Sequence, residues 1–127
     1  MSLEISRNMS LREYTSLTGR TNAPLNKPYS DLTSLHMVMG MATEVGELTD
    51  QFKKNLAYDK PIDWFNVEEE LGDLLWYISE FCNANKIDLT HVLAKNIAKL
   101  RARYPEKFTT DNAINRNLDA EREMLEG

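Results

Sequence analysis

The stretch from Asp63 to Asn85, DWFNVEEELGDLLWYISEFCNAN, decides the fold. Val67, Leu71, Leu74, Leu75, Ile78 and Cys82 recur at three- and four-residue spacing, the period of one helix face. Asp63 follows Pro61 and is a good N-cap, so this stretch predicts a helix from about Asp63 to about Asn85. Upstream, Asp31 to about Leu56 reads as a longer helix. Leu35, Val38, Ala42, Val45 and Phe52 form one apolar face, which Met37, Met41 and Leu48 widen. His36, Gly40, Thr43, Glu47, Gln51 and Lys54 make the polar sector, with Glu44 on its border. Downstream, Asp88 predicts the cap of a further helix that ends before Pro105. Toward the N-terminus, Ser10 to Leu17 reads as a short helix with Leu11, Tyr14 and Leu17 on one face and Gly19 as its stop. Arg20 to Ser30, with Pro24 and Pro28, reads as a loop. Beyond Asp111, Ile114, Leu118 and Leu125 mark a weak amphipathic tail helix. No alternating β-branched run and no internal repeat appears. The expectation is one all-α domain over residues 1–127: a bundle of about four helices with its core over about 32–110, a short helix and loop over 10–31, and a tail over 111–127.

A helix apolar over most of its circumference needs burial on several sides, and three or four helices can hardly surround one of their own. The bundle is therefore expected to be completed by oligomerisation, the alternative being a monomer that buries this helix with its tail. The chain of 127 residues is long enough for one core without disulfides or structural zinc, and its single cysteine, Cys82, excludes both. Cys82 falls on the apolar stripe and reads as core; His91 reads as a first-turn surface residue. No apolar run is long enough to span a membrane. Met1 to Ser10 carries charge and has no apolar signal region. A cytoplasmic location is the expectation.

The net charge of −5 is unevenly spread. Residues 44–80 carry ten acidic and three basic groups, whereas residues 86–107 carry six basic and two acidic. The overall balance argues against binding polymeric nucleic acid, which needs clustered cations. Within the acidic segment, Glu44 and Glu47 stand three residues apart, and so do Glu70 and Asp73 on the next helix. Residues at that spacing are neighbours on a helix face. Four carboxylates converging from two adjacent helices repel one another unless a cation fills the cluster. All-oxygen ligation suits Mg²⁺, or Mn²⁺, better than Zn²⁺. Glu70 lies at the edge of the apolar stripe, where an unpaired carboxylate is unfavourable. Tyr77 shares that edge. Glu68 and Glu69 read as solvated surface. Gly46 and Gly72, one inside each motif, predict close helix approach, since glycine is a poor helix former. A di-iron bundle is excluded by its own signature, because neither His36 nor His91 follows a glutamate by three residues.

In the basic segment the apolar stripe is Leu89, Val92, Leu93, Ile97 and Leu100. Asn96 falls inside it, flanked by Lys99 and Arg103. Two readings are open: a satisfied core amide beside snorkelling cations, or an edge that recognises an anion. Lys54 lies two turns after Glu47 on the same polar sector and is a further phosphate candidate, or else a solvated lysine near a helix end. His36 reads either as packing or as part of a base pocket.

Glu44-x-x-Glu47 and Glu70-x-x-Asp73, set in EVGEL and EELGDLLWY, resemble the MazG-type all-α nucleoside triphosphate pyrophosphohydrolases. Asn96, Lys99, Arg103, Tyr104, Pro105 and Phe108 resemble that family's closing segment, and His36 with Gly40 its lead-in. The similarity covers about residues 32–110. Thr43 and Val45 depart from it, standing where small residues are frequent in the family. The resemblance implies hydrolysis of (d)NTP to (d)NMP and pyrophosphate, in the housecleaning of nucleotide pools. It also implies Mg²⁺ on Glu44, Glu47, Glu70 and Asp73, one of them the general base, and a homodimer or homotetramer. Asn96, Lys99, Arg103, Lys54 and Tyr77 are then the expected phosphate and substrate contacts, with His36 in the base pocket. The competing expectation is a non-catalytic helical module of the same fold that binds nucleotide or protein.

Overall fold

The structure is a computed structural model and describes residues 7–22, 32–105 and 107–127. The signal-peptide reading of Met1 to Ser10 falls largely outside these residues. So do Asp31 and most of the loop predicted for Arg20 to Ser30. All regular structure among the described residues is helical: α1 (Leu11–Thr18), a 3-10 turn (Gly19–Thr21), α2 (Leu32–Tyr58), α3 (Trp64–Ala84), α4 (Leu89–Arg103), α5 (Thr110–Ile114) and α6 (Leu118–Glu126). No described helix is long and apolar enough to cross a membrane. The chain divides into two compact units, Met1–Ile87 and Asp88–Gly127.

Side-chain caps set several helix starts. Ser10, Asp63, Asp88, Thr109 and Asn117 each accept a backbone N–H three residues on, which satisfies a donor the helix leaves free. Two exits use left-handed backbone without glycine, at Asp59 (φ 53°) and Lys86 (φ 55°). An aspartate tolerates this conformation better than a lysine does, so Lys86 holds local strain.

In the first unit α2 and α3 pack as an antiparallel pair. Ser34 meets Asn85, Gly40 meets Tyr77, Gln51 meets Asp63 and Phe52 meets Trp64. As the number rises on one helix, it falls on the other. The more buried positions of α2 are Met37, Gly40, Met41, Glu44, Leu48 and Gln51, at helical spacing. Of the predicted apolar surface, Met37, Met41 and Leu48 are covered within the chain and the rest is not. Leu35 is 53% exposed and Val38 46%, and Val45 and Phe52 are also exposed, whereas Gly40 and Glu44 of the polar side are drawn in. The close approach at Gly40 sets the seam: a Cβ there would lie 2.2 Å from the Tyr77 ring. Gly46 and Gly72 do not mark close approach, contrary to expectation; a Cβ on either meets nothing within 4 Å. On α3, Val67 and Cys82 are buried as predicted, but Leu71 and Leu75 are exposed.

The short helix α1 lies on α3 mainly through polar contacts; of the predicted Leu11–Tyr14–Leu17 face, Leu11 and Tyr14 are half-buried and Leu17 is exposed. Thr18 Oγ1 and Ser79 Oγ share a buried 2.7 Å hydrogen bond. Asn83 donates to the Thr15 carbonyl, Asn22 to the buried Glu80, and the Trp76 indole to Thr21. Buried polar groups are tolerated here because they are paired.

In the second unit α6 packs on α4. The predicted stripe of α4 is covered only at its ends, with Leu89 buried and Leu100 half-buried: Val92, Leu93, Ile97 and Asn96 are exposed, whereas Lys95, Ala98, Lys99, Ala102 and Arg103 are partly buried. Asn96 is therefore not a core amide. The tail is helical as expected, but Ile114, Leu118 and Leu125 are exposed. The buried position of α6 is Glu121, 3% exposed. It accepts from Arg103 Nε at 2.8 Å and from Arg116 Nη2 at 2.6 Å. Lys95 adds a 2.8 Å bond to the Leu125 carbonyl. The two-arginine clamp explains how a carboxylate can be the anchor of this helix pair: a buried charge is tolerated when fully hydrogen-bonded to opposite charge.

Candidate functional site

The antiparallel register brings the two acidic motifs level with each other. One ligand oxygen from each of Glu44, Glu47 and Glu70 lies within 4.8 Å of the others. Glu44 and Glu47 come from successive turns of α2, and Glu70 faces them from α3. Asp73, one turn along from Glu70, stands outside this tight group, yet its charge acts on both Glu47 and Glu70. Glu68 and Glu69 are exposed, as expected.

Glu70 is only 7% exposed. Its Oε2 and that of Glu44 are buried without a hydrogen-bond partner. A buried acceptor without a donor is unfavourable, and a buried carboxylate more so. The crowding also shows in the acid strengths. The hydrogen bond with Glu70, and then its charge, hold the Glu47 carboxyl above the usual carboxylate range. Glu70 is raised chiefly by its hydrogen bond with Glu44. Like charges at this separation keep a proton between them unless a cation takes its place. Hard oxygen donors, orphaned and converging, fit a divalent cation of the Mg²⁺ or Mn²⁺ type.

The cluster opens onto a groove of about 600 Å³ lined by Thr43, Gly46, Glu47, Asp50, Gln51, Asn66 and Glu70. The open space beside Gly46 belongs to this groove. Lys54 pairs with Asp50 of this lining at 2.6 Å. Tyr77 is half-buried, its ring against Gly40, edge-on to Trp76 at 5.2 Å and to His36 at 6.3 Å. The His36–Tyr77 pair thus forms an aromatic corner about two turns of α2 before Glu44. Tyr14 of α1 donates to the Gly72 carbonyl at 3.4 Å, and burial, then the charges of Asp73 and Glu80, push its phenol up.

Asn96, Lys99 and Arg103 lie in the second unit, Asn96 exposed, Lys99 half-buried and Arg103 held by Glu121. Sequence reasoning missed Asp50, Gln51 and Asn66. The signal was present: Glu47, Asp50, Gln51 and Lys54 share one face of α2 at spacings of three, four and seven.

No solved structure matches this chain. A curated relative, the Gene 37 protein of Mycobacterium phage L5, is 33% identical over 72 residues, covering 54% of this chain and 63% of the phage protein. The chain thus matches less than two thirds of that relative's length. The model of the MazG nucleotide pyrophosphohydrolase domain matches residues 32–108. That span contains both acidic motifs, the groove, and Asn96, Lys99 and Arg103, and on its strength this chain belongs to the MazG nucleotide pyrophosphohydrolase domain family.

Proposed function

We propose that this protein is a nucleoside triphosphate pyrophosphohydrolase, converting (d)NTP to (d)NMP and pyrophosphate in the clearance of unwanted nucleotides in the cytoplasm. The observation that carries the reading is the convergence of Glu44, Glu47 and Glu70 with two buried oxygens left unpartnered. Those three residues, with Asp73, would hold Mg²⁺, for which Mn²⁺ can substitute. When bound, the cation would neutralise phosphate charge and polarise the reacting phosphorus. One carboxylate of the four accepts the proton of the attacking water, whose oxygen bonds the α-phosphorus as the bond to the bridging oxygen breaks. Lys54, Lys99 and Asn96 are assigned to the phosphates, whose departing charge a fixed cation stabilises. Arg103 joins them only by exchanging Glu121 for substrate. Tyr77 and His36 are assigned to the nucleoside.

We further propose a homodimer or homotetramer. Leu35, Val38, Leu71 and Leu75 are large apolar residues left exposed on α2 and α3, and such a surface suits a partner helix layer. The same surface favours the second reading, a non-catalytic module that keeps the fold and binds a partner.

The deciding experiment measures pyrophosphate release across ordinary and modified dNTPs and NTPs with Mg²⁺, beside sedimentation of the protein. Release of pyrophosphate from at least one of them, abolished by Glu70→Gln, supports the enzyme. Unchanged release by that variant sinks the metal-site assignment, and no release from any nucleotide favours the non-catalytic module.

A further inference from the structure

The groove continues past the carboxylates, and its far end differs in chemistry. Beyond Glu47 it is lined by Asp50 and Gln51 of α2 and by Asn66 of α3. Lys54 folds its side chain back one turn onto Asp50 Oδ2. Its ammonium therefore sits at the level of residue 50, roughly 5 Å along the helix from Glu47. Gln51 spends its amide oxygen on the Asp63 N–H, at 3.3 Å. Asn66 is half-buried and lines the groove there. In the opposite direction along α2, the side chains are the aromatic His36–Tyr77 corner, packed on Gly40.

The helix pair thus has a polarity: aromatic rings, then carboxylates, then an ammonium with an amide. A nucleoside triphosphate has a matching one: an aromatic base, then the phosphate that reacts, then two further phosphates. Glu47, Asp50 and Glu70 give the groove a negative lining, so a polyanion needs cations along it. Among the described residues, Lys54 is the cation ion-paired to that lining.

We propose that Lys54 and Asn66 form the subsite for the pyrophosphate end of the substrate, with Asp50 as the positioning residue that holds the Lys54 ammonium over the groove. The nucleotide then lies along α2 with its base toward Tyr77. This rests on the pyrophosphohydrolase reading and adds a direction to it.

The test compares wild type with Lys54→Met, Lys54→Arg, Asp50→Asn and Asn66→Ala. Each is titrated with an α,β-imido deoxynucleoside triphosphate and with the matching monophosphate, both with Mg²⁺, and KM and kcat are measured on the hydrolysable triphosphate. Lys54→Met is expected to weaken the triphosphate analogue about tenfold or more, the worth of a charge-assisted hydrogen bond, while leaving the monophosphate unchanged. Lys54→Arg should recover most of the loss. Asp50→Asn should raise KM more than it lowers kcat, and should add nothing once Lys54 is Met. Asn66→Ala should weaken the analogue by a smaller factor, again sparing the monophosphate. Equal loss of tri- and monophosphate in Lys54→Met, or no loss, overturns the subsite. Additivity of Asp50→Asn with Lys54→Met overturns the positioning role. Wild-type protein that neither binds the analogue nor releases pyrophosphate overturns the underlying reading instead, a result distinct from all of these.

Discussion

Two of the three glutamates buried among the described residues, Glu121 and Glu70, sit in opposite circumstances. Glu121 of α6 is enclosed by Arg103 and Arg116, with four hydrogen bonds between 2.6 and 3.3 Å. Glu70 of α3 is enclosed by Glu44 and Glu47 and keeps an oxygen with no partner. The arginines hold the Glu121 carboxyl down at about 2, whereas the neighbouring carboxyls push Glu70 up. Burial alone therefore does not distinguish a structural charge from a functional one. The company differs: the Glu121 carboxylate is fully partnered within the chain, whereas Glu70 keeps a buried oxygen that no group of the described residues satisfies, the place the proposed cation would take.

The comparison breaks most visibly in catalysis. Glu70→Gln is expected to lower pyrophosphate release on the order of 10²–10⁴-fold, the range for losing a group that moves a proton, with the helical circular-dichroism signal intact. Glu121→Gln should leave the chemistry of the bound substrate unchanged once the fold is intact. Equal catalytic losses in the two variants would erase the distinction.

Metal dependence sharpens it next. Mg²⁺ at a hundredfold over its dissociation constant should stabilise the wild-type protein by about 2.7 kcal/mol, as any ligand of the folded state does. In thermal melts this stabilisation should survive in Glu121→Gln and vanish in Glu70→Gln. Persistence in Glu70→Gln would place the cation elsewhere.

The seam that brings the carboxylates level can be tested at Gly40. Its replacement by alanine drives a methyl into the Tyr77 ring and should destabilise the protein by about 1–3 kcal/mol, the usual penalty of overpacking. Denaturant unfolding measures it, and Tyr77→Ala in the same chain should restore part of the loss. The equivalent Gly46→Ala has open space and should be neutral or stabilising.

The smallest effect is on acid stability. The Glu121 carboxyl is depressed from an ordinary 4.5 to about 2 in the folded chain. The stability it contributes is fully present above pH 4.5 and is lost as pH falls through about 2. Wild type should lose more stability than Glu121→Gln across that window, and parallel acid limbs would show that the clamp contributes nothing.

Much of this was legible in the chain before any coordinates. The starts of α3 and α4 are written in Asp63 and Asp88, because a cap is a local interaction three residues long. The i,i+3 spacing of Glu44 with Glu47 put two candidate ligands on one helix face, since helical geometry is itself local. The packing faces were not legible in the same way. The sequence shows α2 apolar round most of its surface and does not say which part meets α3; the seam runs through Gly40, Glu44 and Leu48. A wheel ranks hydrophobicity, but which face meets α3 depends on where another helix can come close, and at Gly40 the missing side chain makes room for the Tyr77 ring.

The sequence by itself determined the helices, their caps and the family, because these follow from spacing and residue type along one segment. Only the tertiary structure decided that Glu70 lies level with Glu44 and Glu47, and that Glu121 takes Arg103 and Arg116. Those pairings join residues far apart in the chain. They depend on antiparallel register and helix rotation, which no single segment contains.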